Sequence, residues 1–357
     1  MLLGVDVGGT FTDFVLSYNG KIVTFKIPST PSDEARAVVQ GLKDLDVDLR
    51  KISYFTHGTT VSTNAVLQRK GREVTLITTK GFRDIIEIGR QSRGWPEPEV
   101  YDFFIERPPP LVQRRFRFEV KERIDSEGNI VEKLNEDELK EIFEEIKKFG
   151  LKSVAVCFLF SYLNPVHEKK VLELLKRENP EILVSLSSEI IPEYREYERF
   201  STTILNAFTK PILKRYLSSL ERELEKLGVF LKLKVMKSNG GVMGINSAIE
   251  ESVHTLLSGP AGGVAGSLHL AKRLGYQNLI SFDMGGTSTD VCLIENLKPK
   301  ITSEGYVGGY PLRIPIIDIH TVGAGGGSIA WVDSGGALRV GPESAGADPG
   351  PACYGKG

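Results

Sequence analysis

A short glycine-containing motif occurs twice, once near each end of the sequence. Residues 4–16 read GVDVGGTFTDFVL and residues 281–293 read SFDMGGTSTDVCL, so both Asp, both Gly, both Thr and the final Leu coincide. Each copy has an apolar run, a Gly-Gly turn and a second apolar run, which predicts a β-hairpin. The copies are too far apart for a solenoid repeat. We therefore predict a duplicated domain, with one hairpin in each lobe of the chain.

Composition and charge narrow the class of protein. The chain has 357 residues, of which 41 % are apolar and 25 % charged, values that fit a globular protein long enough for two domains. A net charge of −1 gives no electrostatic reason to expect nucleic acid or membrane as a partner. The three cysteines lack metal-ligand spacing, the chain opens without a signal peptide, and the longest apolar stretch, residues 154–163, cannot span a bilayer. These features predict a soluble, cytoplasmic protein.

The region between the two motifs alternates between helical and strand patterns. Residues 135–149 begin with a cap-like Asn and an acidic first turn, residues 153–160 are typical of a strand, and a helix is predicted around residues 165–177. Residues 192–227 follow a helical period, with Pro211 as an internal stop or the first residue of a new helix. We predict an α/β lobe over residues 1–190 and a second lobe over residues 191–357. The glycine- and proline-rich last residues also predict that the chain is truncated at its C-terminus or is the first part of a longer protein.

The repeated motif has the chemistry of a phosphate-binding turn. Two glycines allow a tight turn whose backbone N–H groups converge on an anion, and threonine hydroxyls add further donors. The aspartate at the end of the first strand would repel phosphate, so its natural place is on Mg²⁺ or on a water bound to Mg²⁺. One such hairpin is a weak signal, but two in one chain indicate a cradle that holds a polyphosphate from both sides.

The paired hairpins resemble the phosphate loops of the acetate kinase, sugar kinase, Hsc70 and actin superfamily. Further segments, in the same order along almost the whole chain, resemble the hydantoinase A/5-oxoprolinase family: residues 57–65, 88–91, 122–125, 258–263, 321–328 and 341–355. The resemblance implies a bilobed, actin-like (ribonuclease H-like) α/β ATPase fold with two duplicated domains and a cleft. It also implies ATP-dependent attack on a cyclic amide, an imide or a related carbonyl compound. Members of the family include 5-oxoprolinases, N-methylhydantoin and lactam hydrolases, and acetone and acetophenone carboxylases.

The resemblance assigns roles to particular residues. Asp6 and Asp283 would contact the magnesium ion or its waters and act in catalysis. The phosphates of ATP would be lined by Gly8, Gly9, Thr10, Thr12, Gly285, Gly286 and Thr287. The segment with Gly323, Gly325, Gly326 and Gly327 resembles the adenosine motif of the superfamily, where the alternatives are a phosphate site at a helix N-terminus or a structural turn. Asp13 and Asp290 are candidates for capping the turns.

Two further residues are candidates for catalysis. His57 precedes Gly58 in a turn-like segment, where it would act as an acid or base near the γ-phosphate or else be structural. Arg90, together with Arg93, would clamp a substrate carboxylate or carbonyl oxygen, the alternative being a surface salt bridge. His254 and His320 lack partners at zinc-ligand spacing, and the chain has no P-loop motif.

The functional prediction is an ATP-dependent hydrolase subunit that phosphorylates the carbonyl oxygen of a cyclic amide or imide. The family resemblance implies a hydantoinase B-type partner and hence a hetero-oligomer. The alternatives are a ketone carboxylase subunit, a small-molecule kinase, or a scaffold switched by nucleotide. No residue decides between 5-oxoproline, a hydantoin, a lactam and a ketone as the substrate.

Overall fold

A computed structural model describes residues 1–8, 11–30, 34–45, 47–71, 73–90, 104, 108–286, 288–346 and 350–355. The strands of the first half are β1 (Leu2–Val7), β2 (Phe11–Tyr18), β3 (Lys21–Pro28), β4 (Tyr54–Thr59), β5 (Val74–Thr79), β6 (Arg117–Val120), β7 (Arg123–Ile124), β8 (Ile130–Glu132), β9 (Ser153–Cys157) and β10 (Leu183–Leu186). The remaining strands are β11 (Lys234–Met236), β12 (Val242–Gly244), β13 (Leu279–Met284), β14 (Thr289–Glu295), β15 (Lys298–Pro299), β16 (Ile301–Thr302), β17 (Gly305–Val307), β18 (Tyr310–Leu312), β19 (Ile316–Ile317), β20 (His320–Val322), β21 (Ser328–Val332) and β22 (Leu338–Ser344).

Helices separate and cover these strands. They are α1 (Glu34–Asp44), α2 (Val61–Leu67), α3 (Ile85–Ile88), α4 (Glu136–Lys148), α5 (Val166–Glu178), α6 (Ser187–Ile190), α7 (Glu196–Lys226), α8 (Ile245–Glu250) and α9 (Ser258–Leu274). The predicted N-cap of α4 is confirmed, since the Asn135 side chain accepts hydrogen bonds from the backbone N–H groups of Asp137 and Glu138. Among the residues with described placement, no helix combines the length and the apolar character needed to cross a membrane.

The first hairpin lies in a six-stranded sheet with the order β12–β11–β4–β1–β2–β3. β1 pairs antiparallel with β2 and parallel with β4, and β4 pairs parallel with β11. β11 and β12, which follow residue 191, belong to this sheet together with strands from the first 190 residues. The predicted lobe boundary between residues 190 and 191 therefore does not coincide with a boundary between sheets. The parallel neighbour β4 matters for function, because its carboxyl end lies beside the turn of the hairpin.

Two other sheets complete the α/β architecture. A four-stranded, all-parallel sheet has the order β10–β9–β5–β6, as its alternation of strands and helices along the chain requires. The second hairpin, β13–β14, lies in a third sheet with β15 and β20. The predicted mixed α/β class is confirmed, and the chain is built from several sheets.

The long helix α7 joins two hydrophobic cores. Leu205 and Phe208 pack in the core of the all-parallel sheet, whereas Leu213 and Leu217 pack in the core of the six-stranded sheet. The prediction that Pro211 stops or starts a helix is wrong, because α7 runs through it. Proline cannot donate to the carbonyl four residues earlier, that of Ala207, and the buried Ser153 hydroxyl donates to this oxygen instead at 2.5 Å.

Candidate functional site: a cleft between two matching hairpins

The described residues of the two sequence motifs pair in the same way. In the first hairpin Asp6 lies opposite Asp13, and in the second Asp283 lies opposite Asp290. The turns also share a hydrogen bond: the Gly8 N–H donates to the Phe11 carbonyl at 3.0 Å, and the Gly285 N–H donates to the Ser288 carbonyl at 2.9 Å. The predicted pair of β-hairpins is therefore confirmed, in the same register. Gly9, Thr10 and Thr287, named above as phosphate-lining residues, lie outside the described residues, as do Gln91 and Arg93.

The end of β4 is tied to the first turn. Both the backbone N–H and the hydroxyl of Thr60 donate to the Val7 carbonyl, at 3.1 and 3.0 Å. In the same strand Gly58 lies opposite Asp6. A Cβ at Gly58 would overlap the Asp6 Oδ1 atom and lie 3.3 Å from Cγ, so the Asp6 carboxylate occupies the space that a side chain at Gly58 would take.

The N-terminus of α9 bridges the two hairpins. On one side the Ser258 hydroxyl donates to the Thr59 carbonyl at 3.3 Å, and the Leu257 N–H donates to the Thr63 hydroxyl at 3.0 Å. On the other side a Cβ at Gly263 would lie 3.3 Å from the Asp283 Oδ2 atom. The glycine-rich first turns of α9 thus lie between the end of β4 and the second hairpin, and they hold the two motif aspartates on one cleft.

The two hairpins are close enough for Asp283 to influence the electrostatics of Asp6. The pKa of Asp6 is raised to about 6, first by loss of hydration and then by the negative charges of Asp13 and Asp283. Asp13 is paired with Lys26 at 3.1 Å, and Asp290 accepts a hydrogen bond from the Thr321 hydroxyl at 2.6 Å. These contacts favour the structural alternative for Asp13 and Asp290. Asp6, by contrast, has a raised pKa, which marks a carboxylate next to other negative charges.

The loop containing Gly323, Gly325, Gly326 and Gly327 is attached to the second turn. The Gly326 N–H donates to the Gly285 carbonyl at 2.9 Å, and the Gly327 N–H donates to the Gly286 carbonyl at 2.7 Å. A Cβ at Gly327 would lie 2.9 Å from the Gly286 oxygen, so only glycine allows this approach. A neighbouring cavity of ≈ 170 Å³ is lined by residues that include Gly263, Asp283 and Asp290.

Thr12 does not line the cleft. Its side chain is fully buried, its hydroxyl lies 3.0 Å from that of Ser29, and Ser29 donates to the Gly8 carbonyl at 2.8 Å. Thr12 and Ser29 therefore stabilise the first turn from behind. Sequence reasoning missed Ser29, since only the fold brings it to the turn.

His57 points away from the cleft, into the core of the six-stranded sheet. It is fully buried, its Nε2 atom lies 2.7 Å from the Tyr216 hydroxyl on α7, and burial lowers its pKa to about 4. Adjacent residues of a strand face opposite sides, so Gly58 meets Asp6 while His57 meets the interior. This placement favours the structural alternative for His57.

Arg90 forms a two-pronged ion pair. Its Nε and Nη2 atoms donate to the two carboxylate oxygens of Glu198 at 2.8 and 2.6 Å. The pair lies at a second cavity, of ≈ 280 Å³, that Arg195 and Arg313 also line. Two Arg90 donors are thus occupied, which favours the salt-bridge alternative over a substrate clamp. Among the residues with described positions, no group of three or more His, Cys, Asp or Glu side chains is arranged to hold a metal by itself.

Comparison with known proteins defines the class of protein. The family model of the hydantoinase/oxoprolinase N-terminal region matches residues 2–179, and that of the hydantoinase/oxoprolinase family matches residues 199–357. The chain belongs to the hydantoinase/oxoprolinase family. It is 45 % identical, over 99 % of its length, to an uncharacterised protein of Methanocaldococcus jannaschii, of which it covers 54 %.

Other relatives have names that state an activity. The chain is 36 % identical to caprolactamase subunit alpha of Pseudomonas jessenii, over 99 % of the chain and 52 % of the relative. The crystal structure of that ATP-dependent caprolactamase matches all of the chain with a TM-score of 0.88. The nucleotide-free structure of acetone carboxylase, described as an ATP-dependent carboxylation system, matches 97 % of the chain with a TM-score of 0.81 and 31 % identity. The chain therefore spans about half the length of these relatives.

Proposed function

We propose that this chain binds Mg·ATP between its two matching hairpins and transfers the γ-phosphoryl group to the carbonyl oxygen of a cyclic amide or imide. The proposal includes the bilobed, actin-like arrangement, with one hairpin in each lobe. One observation carries it: two hairpins of identical register, each with the same hydrogen bond across its turn, lie close enough across α9 for the Asp283 charge to act on Asp6.

The residues of the cleft fit a magnesium ion held partly by phosphate. Mg²⁺ keeps several water ligands and usually takes one or two carboxylates plus substrate phosphates. Asp6 and Asp283 would supply these carboxylates, and the raised pKa of Asp6 marks negative charge that a divalent cation would neutralise. When bound, Mg²⁺ would neutralise charge that develops on the β- and γ-phosphates.

The remaining groups of the cleft would position the nucleotide. The turn glycines Gly8, Gly285 and Gly286 present backbone to the phosphates, and Gly323–Gly327 would lie against the nucleoside. Positioning and charge stabilisation are the main contributions of a protein to phosphoryl transfer. Because the loop is hydrogen-bonded to the second turn, phosphate and nucleoside would be held in one fixed relation.

The chemistry explains why ATP is needed to open an unstrained ring. A bond forms between the γ-phosphorus and the carbonyl oxygen while the bond from that phosphorus to the bridging oxygen of ADP breaks. The ring carbon becomes electrophilic and its oxygen becomes part of a phosphate leaving group. Water then attacks this carbon, and the carbon–nitrogen bond of the tetrahedral adduct breaks as the nitrogen takes up a proton, which opens the ring and leaves an acyl phosphate. A second water hydrolyses the acyl phosphate to the carboxylate and inorganic phosphate. The 36 % identity to a caprolactamase subunit supports a cyclic amide as the substrate class.

A ketone carboxylase subunit is the second candidate. The structural match to acetone carboxylase supports it, since a phosphoryl group can also be transferred to bicarbonate or to an enolate oxygen. A partner of the hydantoinase B type would complete either reaction. The name "subunit alpha" of the caprolactamase relative supports a multi-subunit assembly.

The test of the proposal is calorimetric titration of the chain with ATP, in the presence of Mg²⁺ and in EDTA. Asp6→Ala and Asp283→Ala should each abolish the gain in affinity that Mg²⁺ gives, with the fold intact by circular dichroism. Asp137→Ala, at a fully solvated helix position, is the control and should bind as the wild type does. Wild-type affinity in either cleft variant would refute its magnesium role.

A screen of ATP hydrolysis would identify the substrate class. 5-Oxoproline, hydantoins, lactams and acetone would be tested with and without a co-expressed B-type partner. Hydrolysis that depends on a cyclic amide supports the lead proposal, and dependence on acetone with bicarbonate supports the carboxylase. A stable phosphorylated product formed by the chain alone would indicate a small-molecule kinase. ATP hydrolysis that none of these compounds stimulates would indicate a nucleotide-switched scaffold.

A further inference from the structure

One face of the second hairpin carries large apolar side chains that face solvent. On β13, Ile280 and Phe282 are each 65 % exposed and Met284 is 56 % exposed; on β14, Leu293 is 54 % exposed. Ile280 lies opposite Leu293 in the sheet, and the three β13 residues alternate along the strand. These four residues therefore form one continuous surface, called here the β13–β14 face. Soluble proteins rarely expose a contiguous apolar surface of this kind without a use for it.

In the first hairpin, the residues that correspond to the β13–β14 face are buried under helices. The corresponding residues, in the same register, are Leu3, Val5, Val7 and Leu16, and they are only 1 to 3 % exposed. They lie in one hydrophobic core with Val38 and Leu42 of α1 and with several apolar residues of α7. Gly41 of α1 lies directly over the Phe14 ring, where a Cβ would overlap it. In the first copy a layer of helices thus seals the face.

The opposite face of the second hairpin is covered, so it does not explain why the β13–β14 face is exposed while the matching face of the first hairpin is buried. Cys292 and Ile294 point to that side and pack against Ala261 and Val264 of α9. Each copy thus has the same strands, the same register and the same apolar pattern, but within the described residues only the first has helices on this particular face. The sequence of the second hairpin is already that of a strand pair buried on both sides.

We propose that the β13–β14 face is the docking site for a layer of amphipathic helices supplied by the polypeptide that corresponds to the unmatched half of its relatives. Two observations select this occupant. The duplicated hairpin binds helices at the same positions, and the relatives contain about as much additional chain as the chain matches. Phe282 replaces the smaller Val5 of the first copy. The docking helix should therefore present a small residue opposite Phe282, as α1 presents Gly41 to Phe14.

This docking links the covering layer to the cleft. Asp283 lies between Phe282 and Met284, so it is held on the strand whose other face the helices would fix. Covering the face would restrain β13 and with it the second turn. The proposal stands on the repeat and on exposure, and it does not depend on which substrate the cleft takes or on whether ATP binds.

The experiment mixes the 357-residue chain with the unmatched half of the Methanocaldococcus jannaschii relative, produced as a separate polypeptide. Association is measured by calorimetry, the exposed apolar surface by fluorescence of the dye ANS, and protection of β13 and β14 by hydrogen exchange. We expect a 1:1 complex, loss of ANS fluorescence and at least tenfold slower exchange in β13 and β14. Phe282→Glu should weaken association at least tenfold. Ile22→Glu, on an equally exposed apolar residue of β3, should leave it unchanged.

Several results would overturn the inference. Unchanged ANS fluorescence and exchange in the mixture would do so, as would equal effects of Phe282→Glu and Ile22→Glu. A homodimer of the chain that Phe282→Glu dissociates would show that a second copy covers the face instead. If Phe282→Glu does not fold, Leu293→Ser gives the same test with a smaller change in the strand.

Discussion

Replacing Gly58 by alanine tests whether Mg²⁺-dependent ATP binding in the cleft depends on the position of the Asp6 carboxylate. The new Cβ would overlap the Asp6 Oδ1 atom and lie 3.3 Å from Cγ. Ordinary contact between such atoms needs about 3.5 Å, so the carboxylate must move by about 1 Å. A hydrogen bond from a metal-bound water cannot survive that displacement. Because hydrogen bonds to charged groups contribute about 1.5–3 kcal/mol, Mg²⁺-dependent ATP binding should weaken roughly 10- to 150-fold.

The assay compares the dissociation constant of ATP in Mg²⁺ with that in EDTA for Gly58→Ala and for a matched control. Gly4→Ala is the control, because it lies on the neighbouring strand β1 and its Cβ would approach other atoms no closer than 3.9 Å. The ratio of the two constants should collapse in Gly58→Ala and stay at the wild-type value in Gly4→Ala. A general loss of packing would instead weaken binding in both buffers, so the ratio separates positioning from unfolding.

The second cleft aspartate provides an internal check of the same reasoning. A Cβ at Gly263 would lie 3.3 Å from Asp283 Oδ2, a milder conflict than at Gly58, so Gly263→Ala should have a smaller effect. Gly266→Ala in the same helix meets no atom within 4 Å and should only stabilise α9. An unchanged Mg²⁺ dependence in Gly58→Ala, with the fold intact, would refute the idea that Asp6 acts through its position.

Two pH-dependent predictions follow from Asp6, whose side chain is solvent-accessible although its carboxylate loses hydration in the cleft, and from the buried His57. The pKa of Asp6 is raised from 3.8 to about 6, so ionisation of Asp6 lowers the stability of the folded state as the pH rises from 3.8 to about 6. The Asp6→Asn variant should therefore be more stable than the wild type above pH 6. The expected gain is about 1 kcal/mol after solvent screening. The opposite sign applies to His57, whose pKa falls from 6.5 to about 4: stability should be lost as the pH falls through this window, by up to about 3 kcal/mol. Urea unfolding at pH 7, 5 and 4 measures both, and a His57→Gln variant with the wild-type acid slope would contradict the second.

Local sequence patterns were sufficient for the parts of the fold that depend on neighbouring residues. The two hairpins, the Asn135 cap and the alternation of strands and helices all follow from turn glycines, capping side chains and apolar periodicity. The resemblance carried by the ordered motifs was confirmed by the family match over residues 2–179 and 199–357. These features are local or linear, and they do not require knowledge of which surfaces meet.

Contacts between distant parts of the chain needed the tertiary structure. His57 reads as a turn residue in the sequence, but a tyrosine 159 positions away lies beside it in the core. Arg90 was a candidate for a substrate clamp or a surface salt bridge, and the start of α7 brings Glu198 to it. Pro211 reads as a helix stop, but Ser153 from β9 satisfies the carbonyl that the proline leaves without a donor.

The sequence by itself determined that there are two matching Gly-Gly hairpins and which aspartates lie near the ends of their first strands. Only the tertiary structure decided that Gly58 and Gly263 make room for those aspartates, that α9 joins the two hairpins, and that no described helix covers the β13–β14 face. The physical reason is that backbone conformation responds to neighbouring residues, whereas the position of a carboxylate or the burial of a strand depends on what the rest of the chain places against it.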